Sequence, residues 1–414
     1  MAPRIEIDPD LVRDRIDRLA AIGRVGDTGV TRTLYDPAWV AATDQYAAWC
    51  AEAGLEVTCD AVGNVWGRLG GTGGGGGDAV VSGSHIDSQV NGGRFDGALG
   101  ALAALIAVSA LRDQFGPPRR PLEAVAFCEE EGSRFPNAQF WGSRAVTGRI
   151  APGDLDTVRD RDGQPIGAVM RGMGLDPEAV GTAARDDIGD FIELHIEQGP
   201  ILEQDDLPVA IVDAITGIRH YHVALTGVQN HAGGFPMDIR TDPMAGFLEM
   251  GAGLIDTAHR SGRPAVTTIG KVEALPGARA IIPRELRFTL DSRHPDPAAR
   301  DRQYAVQEGL MREVAGRRGL GIDWSVELDH PPCLSDPGIL DALRAGAGEQ
   351  GIATRVMASG AGHDTQQMAR IARVAMIFVR SKDGRSHTPE EFSSIEDCVD
   401  GIRLLAAALH KLAY

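Results

Sequence analysis

Lysine is almost missing from this chain: among 41 basic residues in 414, only Lys271, Lys382 and Lys411 are lysines. Schiff-base chemistry needs a lysine amine as nucleophile, so it has few candidates here. Positive charge is itself scarce. The 58 acidic residues give a net charge of −17, which argues against a nucleic-acid partner, because such proteins displace counterions with a basic face. Cysteines are few and scattered: Cys50, Cys59, Cys128, Cys333 and Cys398 are odd in number and form no CxxC pair. Neither a disulfide framework nor a thiolate zinc cluster is expected. No run approaches the ~20 apolar residues that span a bilayer, and no GxSxG elbow marks a serine hydrolase. The start "MAPRIEIDPDLVRDRIDRLAAIG" mixes acids and bases in a helical pattern, unlike a secretory or transit peptide. A cytoplasmic protein with no membrane partner is the expectation.

What is present points to an α/β fold. The chain is 43% hydrophobic, enough for a packed interior. Its length predicts two domains, since single cores stop growing at roughly 250–300 residues. Apolar runs in "DAVVSGSHI", "LEAVAFC", "DFIELHI" and "RVAMIFV" read as strands, and "ALGALAALIAVSALRDQF" as a buried helix. Their alternation implies a mostly parallel sheet covered on both faces. The middle differs. Strand 221–227, helix 242–259, strands 265–273 and 285–293, helix 297–316 and strand 323–329 spell β-α-β-β-α-β, the order of a small two-layer domain. The expected division is therefore a larger domain at 1–213 and 331–414, with a second domain inserted at 214–330. The glycine run at 70–78 precedes a strand, whereas a dinucleotide site places its glycines between strand and helix. It reads as a surface turn.

The segment "SGSHIDSQVNGGRFDG" (82–97) sets His85, Asp87 and Asp96 among glycines directly after an apolar strand. Strand carboxyl ends form the crevice of open α/β sheets. Glu129, Glu130 and Glu131 follow "LEAVAFC", His195 lies in "DFIELHI", and His387 follows "RVAMIFV". Four strand ends thus offer metal-compatible groups to one sheet edge. Taken singly, each has a structural reading: a hydrogen-bonded histidine, or carboxylates at a helix start.

"GSHIDS", "FDGALG", "EEGSRF", "GSRAVTG", "HIEQGP", "NHAGGFPM", "SGAGHD" and "SHTPEEF", in this order, resemble the binuclear-metal amidohydrolases of the peptidase M20 superfamily. The branch is that of N-carbamoyl-L-amino-acid hydrolases, β-ureidopropionases and allantoate amidohydrolases. The resemblance implies a zinc-peptidase-like mixed-sheet catalytic domain with an inserted ferredoxin-like lid that also forms a homodimer. It implies that Asp96 bridges two divalent metals, zinc first, with manganese, cobalt or nickel as alternatives. His85 and His195 would bind one ion, and Glu131 and His387 the other. Glu130 would be the general base, Asp87 would orient His85, and His363 and Asp364 would support the site. Gln198 would bind the ureido group of a small carboxylate-bearing substrate, His231 would stabilise the oxyanion, and Arg293 would clamp the carboxylate.

Three positions depart from that family's pattern. Ala280 stands where the lid normally offers Asn, Gly234 and Phe235 replace two threonines, and Arg380 replaces a proline. The expectation is an altered pocket in which Arg380 adds an anion contact and the substrate is not a standard N-carbamoyl-α-amino acid. Two other readings stand beside it: a metallopeptidase or acyl-amino-acid deacylase, and a non-catalytic binding protein on the same scaffold.

Overall fold

Four apolar runs become adjacent parallel strands: β1 (Ala79–His85), β2 (Leu122–Phe127), β3 (Ile188–Ile196) and β4 (Arg373–Val379). They lie in the order β4-β3-β1-β2. Every residue of β1 and β2 is buried, as expected when helices cover both faces of a parallel sheet. The flanks are antiparallel: Val209–Ile215 pairs with β4, and Val65–Leu69 pairs with β2. The sheet is therefore mixed. The computed structural model that carries this fold describes residues 4–73 and 78–414. The turn expected at 70–78 includes residues 74–77, which lie outside the described residues.

The chain divides into two units, one of Met1–Asp213, Ser335–Met357 and His363–Tyr414, the other of Ala214–Leu334 and Ala358–Gly362. In the first, helix α1 (Ala98–Phe115) is rich in alanine and leucine and packs on β1, β2 and β3. By length and composition it is apolar enough to cross a membrane, yet 67% of it is buried, and it contributes Leu99, Leu102, Leu105 and Ile106 to the core. Helix α2 (Ile395–Ala413) starts where Ser394 accepts the Asp397 N–H, a side-chain cap for an otherwise unpaired donor. Because β1 to β4 run parallel, their carboxyl ends meet at one edge. His85 closes β1, Glu129 to Glu131 follow β2, His195 is the last residue but one of β3, and Arg380 to His387 follow β4.

The second unit has the sheet order Val266–Thr268, Glu285–His294, Gly217–Thr226, Gly321–His330, all antiparallel. Leu286, Phe288 and Leu290 alternate with more exposed neighbours and pack under Met250, Leu254, Met311 and Val314 of helices Pro243–Ser261 and Pro297–Arg317. Asp242 and Asp296 cap these helices, each followed by proline. The strand expected at 265–273 is two strands, Val266–Thr268 and Val272–Leu275, both on Glu285–His294. The ladder breaks at Gly270, and the Thr289 hydroxyl takes the Lys271 N–H there.

Candidate dinuclear metal site

The two oxygens of Asp96 face different partners. Oδ1 lies 3.1 Å from His195 Nε2 and 3.7 Å from His85 Nε2, while Oδ2 lies 3.2 Å from His387 Nε2. His387 Nε2 is also 3.4 Å from Glu131 Oε2. Two groups able to hold a metal result, His85/Asp96/His195 and Asp96/Glu131/His387, with Asp96 in both. A further grouping of Glu193, His195 and His363 shares His195. Its imidazole has no nitrogen to spare, because Nε2 faces Asp96 and Nδ1 lies 3.0 Å from the Ile196 carbonyl.

Local sequence builds this geometry. Gly97 has φ +62°, and a Cβ there would sit 2.3 Å from the His85 ring, so glycine meets both the left-handed backbone and the close approach. Asp87 accepts the N–H groups of Glu130 (3.1 Å) and Glu131 (3.2 Å), and its carbonyl lies 3.2 Å from His85 Nδ1. It therefore fixes the imidazole and pins the glutamate loop, as buried partners of metal-binding side chains commonly do. Glu129 (φ +46°), Gln198 (φ +56°) and His387 (φ +57°) hold left-handed backbone conformations, each costing about 1–3 kcal/mol. Such strain persists where surrounding contacts over-determine the backbone, which is common at functional sites.

The charges crowd together. Burial pushes Glu130 and Glu131 upward, with neighbouring carboxylates adding and His85 opposing. Burial also works to raise Asp96, but hydrogen bonds from His195 and His387 win and hold it well below the usual carboxylate range. The hydrogen bond to Asp96 lifts His387 to about 9. Glu131 Oε1 and Gln198 Oε1 are buried without a hydrogen-bond partner among the described residues. A buried carboxylate oxygen left open among like charges suits a cation, and imidazole with carboxylate is a donor set for zinc, manganese, cobalt or nickel. The residues present fit two divalent ions.

The remaining expected residues fall in three places. At the metal cluster, Gln198 Nε2 donates to Asp96 Oδ2 at 2.9 Å. The His363 ring stands edge-on to His195 at 4.6 Å, and Asp364, pushed up to about 8 by burial, accepts from Ser143 Oγ at 2.5 Å. On the second unit, His231 Nδ1 accepts the N–H groups of Gly233 (3.1 Å) and Gly234 (2.8 Å). Its hydrogen therefore sits on Nε2. Arg293 is held edge-on by Asp291 at 2.9 and 2.8 Å, and Nη1 reaches the Gly360 carbonyl at 2.8 Å. Ala280 offers its carbonyl to the Ala232 N–H.

Arg380 corrects an expectation. Its guanidinium forks onto Asp397 at 2.9 and 2.8 Å and reaches Asp206 at 2.9 Å. It anchors the end of β4 to the start of α2 and is not a free anion contact. Arg380→Ala is expected to cost about 1–3 kcal/mol by leaving the buried Asp397 unpaired, with KM unchanged; denaturant midpoints and steady-state kinetics check this. Sequence reasoning missed Ser386, Glu391 and Glu193. Glu193 accepts from Ser84 Oγ (2.7 Å) and Thr365 Oγ1 (2.6 Å) behind His195.

A model of peptidase family M20/M25/M40 matches residues 78–411. The chain belongs to that family. Over 404 residues this M20-family chain is 39% identical to an allantoate amidohydrolase of Escherichia coli, covering 97% of the chain and 98% of the relative. It is 36% identical to an N-carbamoyl-L-amino-acid amidohydrolase of a Pseudomonas species, covering 98% and 99%. The crystal structure of an amidase of the hydantoinase/carbamoylase family from Burkholderia multivorans superposes with a TM-score of 0.90 at 32% identity, over 99% of each chain.

Proposed function

We propose that this chain is a binuclear-metal amidohydrolase that cleaves a C–N bond of an N-carbamoyl amino acid or a related ureido acid. The observation that carries the reading is the division of Asp96 between two metal-capable groups. His85 and His195 would hold one ion and Glu131 and His387 the other, with zinc the first assignment. When bound, two such ions lower the pKa of a water and polarise a carbonyl. Glu130 takes the proton of the attacking water and returns it to the leaving nitrogen. The open acceptor Gln198 Oε1 suits a ureido N–H. His231, with its hydrogen on Nε2, is suited to donate to a developing oxyanion. Arg293, steadied by Asp291, offers its remaining N–H groups to a substrate carboxylate. An N-carbamoyl substrate then yields the free amine, carbon dioxide and ammonia. The relatives' names support ureido acids over peptides. The setting is cytoplasmic and the assembly a homodimer through the second unit, which acts as a lid.

Ammonia release from the purified protein, with zinc, manganese or cobalt added, across N-carbamoyl-α-amino acids, N-carbamoyl-β-alanine and allantoate, tests the reading. Metal-dependent release from one of them supports it; metal-loaded protein silent on all of them refutes it. Arg293→Ala is expected to raise KM about 10- to 100-fold, the loss of a charged hydrogen-bond pair of about 1.5–3 kcal/mol. Little change in kcat is expected, and initial-rate kinetics on the preferred acid read out both.

A further inference from the structure

Behind Asp96 a second carboxylate and a hydroxyl tie its backbone and side chain to the loop that carries His387. Ser386 Oγ lies 2.5 Å from Asp96 Oδ2 and 3.1 Å from Glu391 Oε2. The other oxygen of Glu391 accepts the N–H groups of Phe95 (2.8 Å) and Asp96 (3.0 Å). One buried glutamate therefore holds the main chain of residue 96 directly and meets its side chain through Ser386. Its place is made by Gly93, where a Cβ would come within 2.1 Å of the Glu391 carboxylate. That accounts for one of the glycines in the 82–97 segment.

The two metal groups are not supported alike. The side chains of His85 and His195 are 2% exposed, whereas that of His387 is 50% exposed, so packing does not fix His387. Its backbone is left-handed, and its chain neighbour Ser386 makes the contact to Asp96. The other group has supports of its own: the Asp87 carbonyl at His85 Nδ1 and the Ile196 carbonyl, 3.0 Å from His195 Nδ1.

We infer that Ser386 and Glu391 are positioning residues forming a latch that sets the Asp96/Glu131/His387 subsite, and that the His85/His195 subsite does not depend on them. The inference rests on the two-metal reading above. Metal-free full-length protein is titrated with Co²⁺, following the visible absorbance, ions per chain by elemental analysis, and affinity by chelator competition. Wild type is expected to take two ions. Ser386→Ala and Glu391→Gln are expected to hold the first within about twofold and the second about 10- to 100-fold more weakly. Ser386→Thr, which keeps the hydroxyl, is expected to restore the second. Far-ultraviolet circular dichroism of the metal-free variants guards against misfolding, and Ser386→Ala carries the test alone if Glu391→Gln does not fold. Both ions bound as tightly as in wild type, or both weakened equally, would overturn the latch. A wild type that takes only one ion fails the two-metal reading itself.

Discussion

Replacing Glu130 with glutamine is expected to lower kcat on the preferred ureido acid by about 10²–10⁴-fold, the usual contribution of a positioned acid–base group, with both metal ions retained and KM little changed. Glu130 Oε2 lies 4.0 Å from His85 Nε2, at the edge of the metal cluster but in neither of its two groups. Its backbone N–H is bound by Asp87, so the amide variant keeps the loop in place and removes only the basic oxygen. Glu129 is the competing carboxylate, yet it is fully buried and faces the Phe135 N–H. Steady-state kinetics with metal analysis on the same preparation check the pair. A Glu130→Gln enzyme with near-normal kcat would remove the general base from the account.

The second large effect follows from Asp96 being shared. Asp96→Ala is expected to lose both ions at chelator concentrations that leave wild type loaded, and ammonia release is expected to fall to the blank. His387→Ala, by contrast, is expected to lose one ion. The carboxylate faces three imidazoles at once: His85, His195 and His387 all lie within 3.7 Å of its oxygens. Its removal leaves the buried His85 and His195 and the half-exposed His387 without the ligand they share. Metal binding stabilises a folded protein by about 2.7 kcal/mol at a free-metal concentration of 100 times Kd, so the metal-dependent rise in Tm expected for wild type should be absent in Asp96→Ala. Differential scanning calorimetry with and without zinc reads this. A variant whose Tm still climbs with metal would show that Asp96 is not the common ligand.

Residues at strand ends were the legible part of this site. His85, Asp96, Glu131, His195 and His387 each follow or close an apolar run, and parallel strands bring their carboxyl ends together. The buried runs also marked β1, β2, β3 and β4 and helix α1. What escaped were groups whose partners are backbone donors or hydroxyls from remote segments. Glu391 binds the N–H of Asp96 across 295 positions, and Glu193 meets Thr365 across 172, with no periodicity or spacing to show it. Arg380 looks like function for the same reason: nothing local shows that Asp206, 174 residues away, and Asp397 hold it. In the second unit, a β-rich run interrupted only by Gly270 looked continuous, although the chain leaves the ladder there.

The proposed reaction needs two ions that share Asp96 to act together on a ureido bond. The most direct test is ammonia release measured against equivalents of metal added to metal-free protein. No activity is expected without metal, then a rise that reaches its plateau at two ions per chain, and none at any loading for Asp96→Ala. Full activity in chelated, metal-free protein would contradict it.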